Sequence, residues 1–300
     1  MAVLMGGLSA ERDVSLSTGR DCARGLEEAG YRVTTIDVDR DIATRLREVA
    51  PDVCFNALHG RYGEDGCIQG LLETMGIPYT HSGVHASSLA INKELTKLIL
   101  RDSAIPFAPS RLLTRDEALR THAMEPPYVI KPVAEGSSVG VVIVEAGANR
   151  PPDAIADVLT YNGLVMAEKF VAGRELTCAC IGDTATGIID IRPADGLAFY
   201  DYEAKYAPGG SVHILPAEIP DAVTAAIQAA TLEAHRALRC RGVTRSDFRY
   251  DDATGTLAFL EINTQPGMTP TSLVPEQAAH AGMTFSALVA WMVEDASLDR

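Results

Sequence analysis

Along the first eighty residues, short apolar runs alternate with segments of helical period. Residues 2–5 are apolar and end in Gly6-Gly7, and residues 13–29 carry a helical pattern that Gly30 is placed to cap. Residues 31–38 are rich in β-branched types, and 53–58 form a buried-strand run. Strand and helix in this rhythm predict a parallel sheet, with ligands at the carboxyl ends of its strands. Gly6, Gly7, His59 and Gly60 all follow such ends.

The pattern changes beyond a boundary near residues 83–88. Residues 89–103 read as one helix, closed by Pro106 and Pro109. Runs at 128–131, 139–144 and 164–170 predict the strands of a small central domain. Longer strands follow at 176–181, 187–191, 243–250 and 257–263, with an alanine-rich helix at 220–238 between the second and third. Residues 200–216, with Pro208-Gly209-Gly210 at their centre, show no period; a stretch that long in a compact protein is functional or disordered. Three domains are expected, 1–86, 87–171 and 172–300, α/β in the first and α+β in the other two.

At 300 residues the chain exceeds what one core usually holds, in keeping with that division. No apolar run approaches the ~20 residues that span a bilayer. The start, M-A-V-L-M-G-G, lacks the basic segment and the length of a secretory signal. A cytoplasmic protein without a membrane partner is expected. The net charge of −14 argues against a nucleic-acid partner, and requires that any anionic ligand be met by locally gathered cations. The six cysteines show neither C-x-x-C spacing nor a redox pair, and are read as buried, reduced thiols.

Five stretches carry patterns with chemistry in them. R-S-D-F at 245–248 and E-I-N at 261–263 flank a turn sequence, D-D-A-T-G-T at 251–256. A hairpin pivoting at Thr254 places Asp247 opposite Glu261 and Arg245 opposite Asn263, all on one face. Two carboxylates and an amide suit magnesium, a hard cation that shares its shell with phosphates. A cross-strand ion pair on a solvated face is the plain alternative. K-P-V-A-E-G-S-S-V-G at 131–140 leads Lys131 from a strand into a glycine- and serine-rich turn. That turn can cradle phosphate or simply close a hairpin; it is neither a Walker loop nor a dinucleotide fingerprint. E-K-F-V at 168–171, with Glu175 beyond, is a strand edge whose backbone can meet adenine and whose carboxylates can meet ribose. S-A-E-R-D-V-S at 9–15 sets Glu11 where a helix starts, to cap it or to face a substrate ammonium. Y-D-Y-E-A-K-Y at 200–206 heads the irregular stretch, which Gly209 and Gly210 can hinge over a site.

Taken together, G-G-x-S-A-E-R-x-V-S at 6–15, A-L-H-G-R-x-G-E-D-G at 57–66, E-G-S-S-V-G at 135–140, D-Y-E-A-K-Y at 201–206 and E-I-N-T-Q-P-G-M-T at 261–269 resemble the D-alanine–D-alanine ligase family. The motifs run in family order over nearly the whole chain. The resemblance implies a three-domain ATP-grasp fold, an N-terminal βαβ parallel-sheet domain followed by two domains that clamp ATP. It implies ATP as co-substrate, two Mg2+ ions with Mn2+ as a substitute, D-alanine as substrate, a homodimer, and a role in peptidoglycan precursor synthesis. One D-alanine carboxylate takes the γ-phosphoryl group to give an acyl phosphate, and the amine of a second attacks it.

Matched position by position, the resemblance gives Lys93, Lys131 and Lys205 to the ATP phosphates and Glu168, Lys169, Val171 and Glu175 to the adenosine pocket. Asp247, Glu261 and Asn263 match the magnesium ligands. Glu11 matches the partner of the first D-alanine's ammonium, His59 lies near the substrate, and Ser272 with Leu273 matches the partners of the second carboxylate. Arg245 and the backbone of Gly267 match the oxyanion donors, and Ser137, Tyr206 and Glu11 a hydrogen-bonded triad that ties the loop to the site. Gln265 departs from the pattern, since many relatives carry serine or leucine there; the central domain is also shorter between Arg111 and Pro127 than in some members.

The nearest alternative is a D-alanine–D-lactate ligase or another carboxylate–amine ligase of the same fold. Tyr206 favours the dipeptide, and His213 is read as a loop-surface histidine. A nucleotide-binding regulator with a dead site is disfavoured because the matched charged positions are intact. A dinucleotide oxidoreductase needs a glycine fingerprint that Gly6-Gly7 lacks.

Overall fold

The computed structural model describes residues 1–136, 140–193 and 210–299. Strands β1 (Ala2–Gly6), β2 (Thr34–Val38) and β3 (Cys54–Asn56) form a parallel sheet in the order β2-β1-β3. Helices α1 (Arg12–Glu28), α2 (Ile42–Val49) and α3 (Cys67–Met75) accompany it. Side chains alternate along β1, so its two faces enter two cores. Val3 packs with Cys22 and Leu26 of α1, whereas Ala2 and Leu4 pack with Leu46, Leu72 and Tyr79. The chain leaves β1 through Gly6 and Gly7 at φ +76° and +84°, a left-handed path that glycine takes without strain.

Helices α4 (Val84–Ala90) and α5 (Lys93–Ile99) follow where one helix over 89–103 is expected. The break has a local cause. Asn92 is an N-cap whose side chain accepts from the N–H groups of Glu94 and Leu95, each at 3.1 Å. Asparagine starts a helix better than it continues one. The new helix therefore begins at Lys93.

Next comes an antiparallel sheet of β4 (Ser110–Thr114), β5 (Tyr128–Pro132), β6 (Val142–Val144) and β7 (Leu164–Lys169), in the order β4-β7-β5-β6, with the short helix α6 (Arg115–Arg120). A second antiparallel sheet holds β8 (Arg174–Ile181), β9 (Thr184–Pro193), β10 (Ser211–Ile214), β11 (Val243–Asp251) and β12 (Thr256–Asn263), in the order β10-β9-β8-β11-β12. Helices α7 (Asp221–Ala237), α8 (Leu273–His280) and α9 (Phe285–Glu294) complete the chain. Strand β10 corrects the expectation that 200–216 has no regular structure; four residues at a sheet edge are too few for a period to show. Lys205 and Tyr206 in that stretch lie outside the described residues, as do Ser137 and the first residue of the strand expected at 139–144.

All six cysteines are free. Cys67 is exposed, against expectation, because α3 buries Ile68, Gln69 and Leu72 and leaves Cys67 on the other side. Among the described residues no helix is long and apolar enough to cross a membrane.

Helix α7 buries His235, with Nδ1 2.8 Å from Thr244 Oγ1. Burial pushes its pKa down to about 4, from an ordinary 6.5. The unfolded chain therefore takes up this proton first. The stability is fully present above pH 6.5 and is lost as pH falls towards about 4. The whole shift is worth about 3 kcal/mol. Denaturant melts of the wild type and His235→Gln across this range are expected to show the wild type losing about that much more than the variant.

Candidate active site

The β11–β12 hairpin pairs Asp247 with Glu261 and Arg245 with Asn263, the register of a pivot at Thr254. It reaches that register by a detour. Nearer the turn Asp251 pairs with Thr256 and Phe248 with Phe259, so Leu260 is an extra residue without a partner. The bulge brings Glu261 back opposite Asp247. On the other side of β11, β8 sets Thr177 beside Asp247 and Glu175 beside Arg249.

Each acid on this face is compensated. Thr177 Oγ1 donates to Asp247 Oδ1 at 2.7 Å, and Arg245 donates through Nε to Oδ1 at 2.8 Å and through Nη2 to Oδ2 at 2.7 Å. Lys93 Nζ lies 2.9 Å from Glu261 Oε2 and donates to the Glu135 carbonyl at 2.7 Å. Asn263 Oδ1 accepts from the Gln265 N–H at 2.7 Å. Among the described residues no three His, Cys, Asp or Glu side chains gather as a metal site. The set here is two carboxylates and an amide, all hard oxygen donors, and that chemistry fits Mg2+.

Across a cleft stand β5 and β7. Lys131 Nζ donates to Glu168 Oε1 at 2.6 Å, and Lys97 donates to Glu168 Oε2. Burial alone raises the Glu168 carboxyl, but the charges of Lys131 and Lys97 outweigh it and hold the pKa below its usual value. Burial also lowers the Lys97 pKa, since a carboxylate shared between two lysines does not replace the lost water. Lys97 escaped the sequence reading. Its signal is the spacing of four from Lys93, one helical turn on.

The cleft is lined by Lys93, Lys131, Glu168, Lys169, Val171 and Glu175, together with Asp247 and Glu261. Lys169 Nζ donates to the Glu125 carbonyl at 2.9 Å. Arg249, also unforeseen, ties the linker after β7 to the sheet. It donates through Nε to the Val171 carbonyl at 3.2 Å and through Nη2 to the Gly173 carbonyl at 2.7 Å, with Nη1 3.6 Å from Glu175 Oε2. It merely continues the alternation of Arg245 and Asp247. Hydrogen bonds to charged groups are worth ~1.5–3 kcal/mol. If the cleft takes the ATP that the family resemblance implies, Arg249→Ala is expected to raise KM for ATP about tenfold or more with kcat within about twofold, checked by initial rates at varied ATP.

A second crevice continues from the first. It shares Lys93, Glu135, Gly136 and Glu261 and adds Glu64 and Asn263. Burial raises the Glu135 carboxyl more than Lys93 and Arg61 lower it. Glu11 stands at the start of α1 without a side-chain cap bond. A β-carbon on Gly60 would lie 2.5 Å from its Oε2 and one on Gly136 3.9 Å away, so two glycine backbones approach this carboxylate. His59 is buried with both ring nitrogens partnered. Nε2 is 3.1 Å from Thr18 Oγ1, and Nδ1 is 3.2 Å from Glu64 Oε1 and 3.1 Å from the Gln265 carbonyl.

Gly267 and Ser272 come together as well: a β-carbon on Gly267 would lie 3.3 Å from Ser272 Oγ. Ser272 is the N-cap of α8 and Leu273 its first residue, a helix end that favours an anion. His213 sits on β10, with Nδ1 2.7 Å from Glu276 Oε2 and Nε2 3.2 Å from Ser211 Oγ.

Family models described as D-ala D-ala ligase N-terminus and D-ala D-ala ligase C-terminus match residues 41–82 and 99–294. The chain belongs to the D-alanine–D-alanine ligase family. The D-alanine–D-alanine ligase of Methylocella silvestris is 60% identical, over 100% of this chain and 99% of the relative. That of Methylobacterium radiotolerans is 58% identical with the same coverage, 100% and 99%. The solved D-alanine–D-alanine ligase of Bacillus anthracis complexed with ATP superposes with a TM-score of 0.80 at 30% identity, covering 98% of this chain and 96% of that one. Another structure of the Bacillus anthracis ligase gives 0.78 at 32% identity, again over 98% and 96%. The fold is the ATP-grasp arrangement of the ligase family: a parallel-sheet unit followed by two antiparallel sheets that face each other across a cleft.

Proposed function

We propose that this ligase-family member joins two D-alanine molecules with ATP, giving D-alanyl-D-alanine, ADP and phosphate for peptidoglycan precursor synthesis. One observation carries the reading: the lysine-lined cleft opens into the second crevice at Lys93, Glu135, Gly136 and Glu261. A phosphoryl group leaving a nucleotide in the first is thereby brought beside a carboxylate held in the second.

In this reading the adenosine lies against Glu168, Lys169, Val171 and Glu175. Lys93 and Lys131 exchange their carboxylate partners for phosphate oxygens, and Lys205 completes that set. Asp247, Glu261 and Asn263 hold the two Mg2+ ions, or Mn2+, which when bound neutralise the charge on the transferring group. Glu11 orients the first D-alanine by its ammonium. His59 lies between Glu64 and the Gln265 carbonyl and keeps the N-terminal loop against the substrate. Ser272 and the Leu273 helix end receive the second carboxylate. That D-alanine arrives as an ammonium and must lose a proton before it attacks, which Ser137 and Tyr206 relay. Arg245 and the Gly267 N–H then donate to the oxyanion.

D-Alanine rather than D-lactate is the second substrate. The E-A-K-Y motif supports this, and His213 is engaged by Glu276 and Ser211. We read the protein as a cytoplasmic homodimer of subunits divided at 86/87 and 171/172. Its three sheets support that division, while Ala86, Ala90, Leu100 and Ile105 pack with residues of the five-stranded sheet.

Phosphate release from ATP with D-alanine, L-alanine or no amino acid tests the function. Release dependent on D-alanine is expected, and equal release in all three arms would overturn it. Equal D-alanine and D-lactate at neutral pH should give mainly dipeptide; mainly depsipeptide would replace the second substrate.

A further inference from the structure

We propose that the side chain of Gln265 is a positioning residue for the turn that carries Gly267, which rests on the oxyanion role given to Gly267 above. Gln265 is buried, and its amide forms a reciprocal pair with Asn56. Asn56 Nδ2 donates to Gln265 Oε1 at 3.2 Å, and Gln265 Nε2 donates to the Asn56 carbonyl.

Asn56 is a fixed anchor at the end of β3. It has no exposed surface. Its N–H donates to Thr80 Oγ1 at 3.0 Å, its Nδ2 also donates to the Gly63 carbonyl at 3.1 Å, and its Oδ1 accepts from the Leu58 N–H at 3.2 Å. The Gln265 main chain faces two site residues, donating to Asn263 Oδ1 at 2.7 Å and accepting from His59 Nδ1 at 3.1 Å. On the far side of Gly267, Met268 is fully buried, and its carbonyl accepts from Cys22 Sγ at 3.4 Å.

Gly267 therefore lies between two points pinned to the N-terminal sheet and its helix. A backbone donor aimed at developing charge works only while its position holds, and a displacement of about 1 Å can cost about 10²-fold in rate. Glutamine supplies both a donor and an acceptor to Asn56 from one flexible arm. Leucine supplies neither, and serine is too short to reach both.

The test compares wild type, Gln265→Leu, Asn56→Ala and the double variant, with turnover normalised to the fraction of protein that binds nucleotide. Gln265→Leu is expected to lower kcat for dipeptide formation about tenfold or more, with KM for ATP within about twofold. Asn56→Ala removes the Nδ2 donor but leaves the Asn56 carbonyl, so it should act in the same direction, and the double variant should lose less than the two single losses combined, as for residues that share a contact. An unchanged kcat with only a lower thermal midpoint would overturn the proposal. So would additive effects in the double variant, or a Gln265→Leu protein that binds no nucleotide, since the pair would then hold the fold rather than the turn. A wild type without D-alanine-dependent phosphate release would remove the functional reading itself, whereas a competent wild type beside an unaffected Gln265→Leu removes this proposal alone.

Discussion

Arg245→Ala is expected to lower turnover about 10²–10³-fold at saturating substrates, the usual effect of deleting one oxyanion donor. The geometry adds a second consequence. Arg245 grips both oxygens of Asp247, and without it that carboxylate keeps, among the described residues, the Thr177 hydroxyl. An acid relieved of its guanidinium holds a cation more strongly, so the Mg2+ needed for half-maximal activity should not rise. Arg245→Lys should restore little, because an ammonium cannot reproduce the planar fork. Steady-state kinetics with a Mg2+ titration read both effects. Near-normal kcat in Arg245→Ala would remove this residue from the reaction.

Glu261→Gln should give the other large loss, with the opposite metal dependence. A bound metal supplies several kcal/mol to a transferring phosphoryl group, so loss of a ligand is expected to cost at least about 10²-fold in turnover and to raise the Mg2+ requirement. Stability should change little. Glutamine keeps the shape of the side chain and an oxygen that can accept from Lys93, whose Nζ is 2.9 Å from Glu261 Oε2. Unchanged turnover at an unchanged Mg2+ requirement would show that Glu261 does not serve a metal.

What the sequence made legible follows the length of its patterns. Strands β8, β9, β11 and β12 and helices α1 and α7 are long enough for period two or 3.6 to stand out. The eight-residue helices α2 and α8, α3, α9 and the short strands β4 and β10 are not, and none was foreseen. Asn92 broke an apparently continuous helix by a capping bond, which hydrophobic period does not encode.

At the site, the alternation of Arg245 and Asp247 puts both on one face, and a pivot at Thr254 gives the observed pairing, but the turn chemistry alone does not fix that register. The Leu260 bulge, which makes that pairing, left no signal. Arg249 and Lys97 lie outside the motifs, each one period beyond a matched residue, Asp247 and Lys93. Gln265 was seen only as a departure. Its partner Asn56 is 209 residues away in the chain, and only the fold brings the two amides together.

The most direct test of ligation through an acyl phosphate uses D-alanine labelled with ¹⁸O in both carboxyl oxygens. Attack of a labelled carboxylate on the γ-phosphorus places one labelled oxygen in the bridge to phosphorus. Attack of the second amine at the carbonyl carbon then releases that oxygen with the phosphate. Mass spectrometry is expected to find one ¹⁸O in each phosphate released and one in the peptide carbonyl of D-alanyl-D-alanine. Unlabelled phosphate beside newly formed dipeptide would contradict the acyl phosphate, and phosphate without dipeptide would contradict the ligase itself.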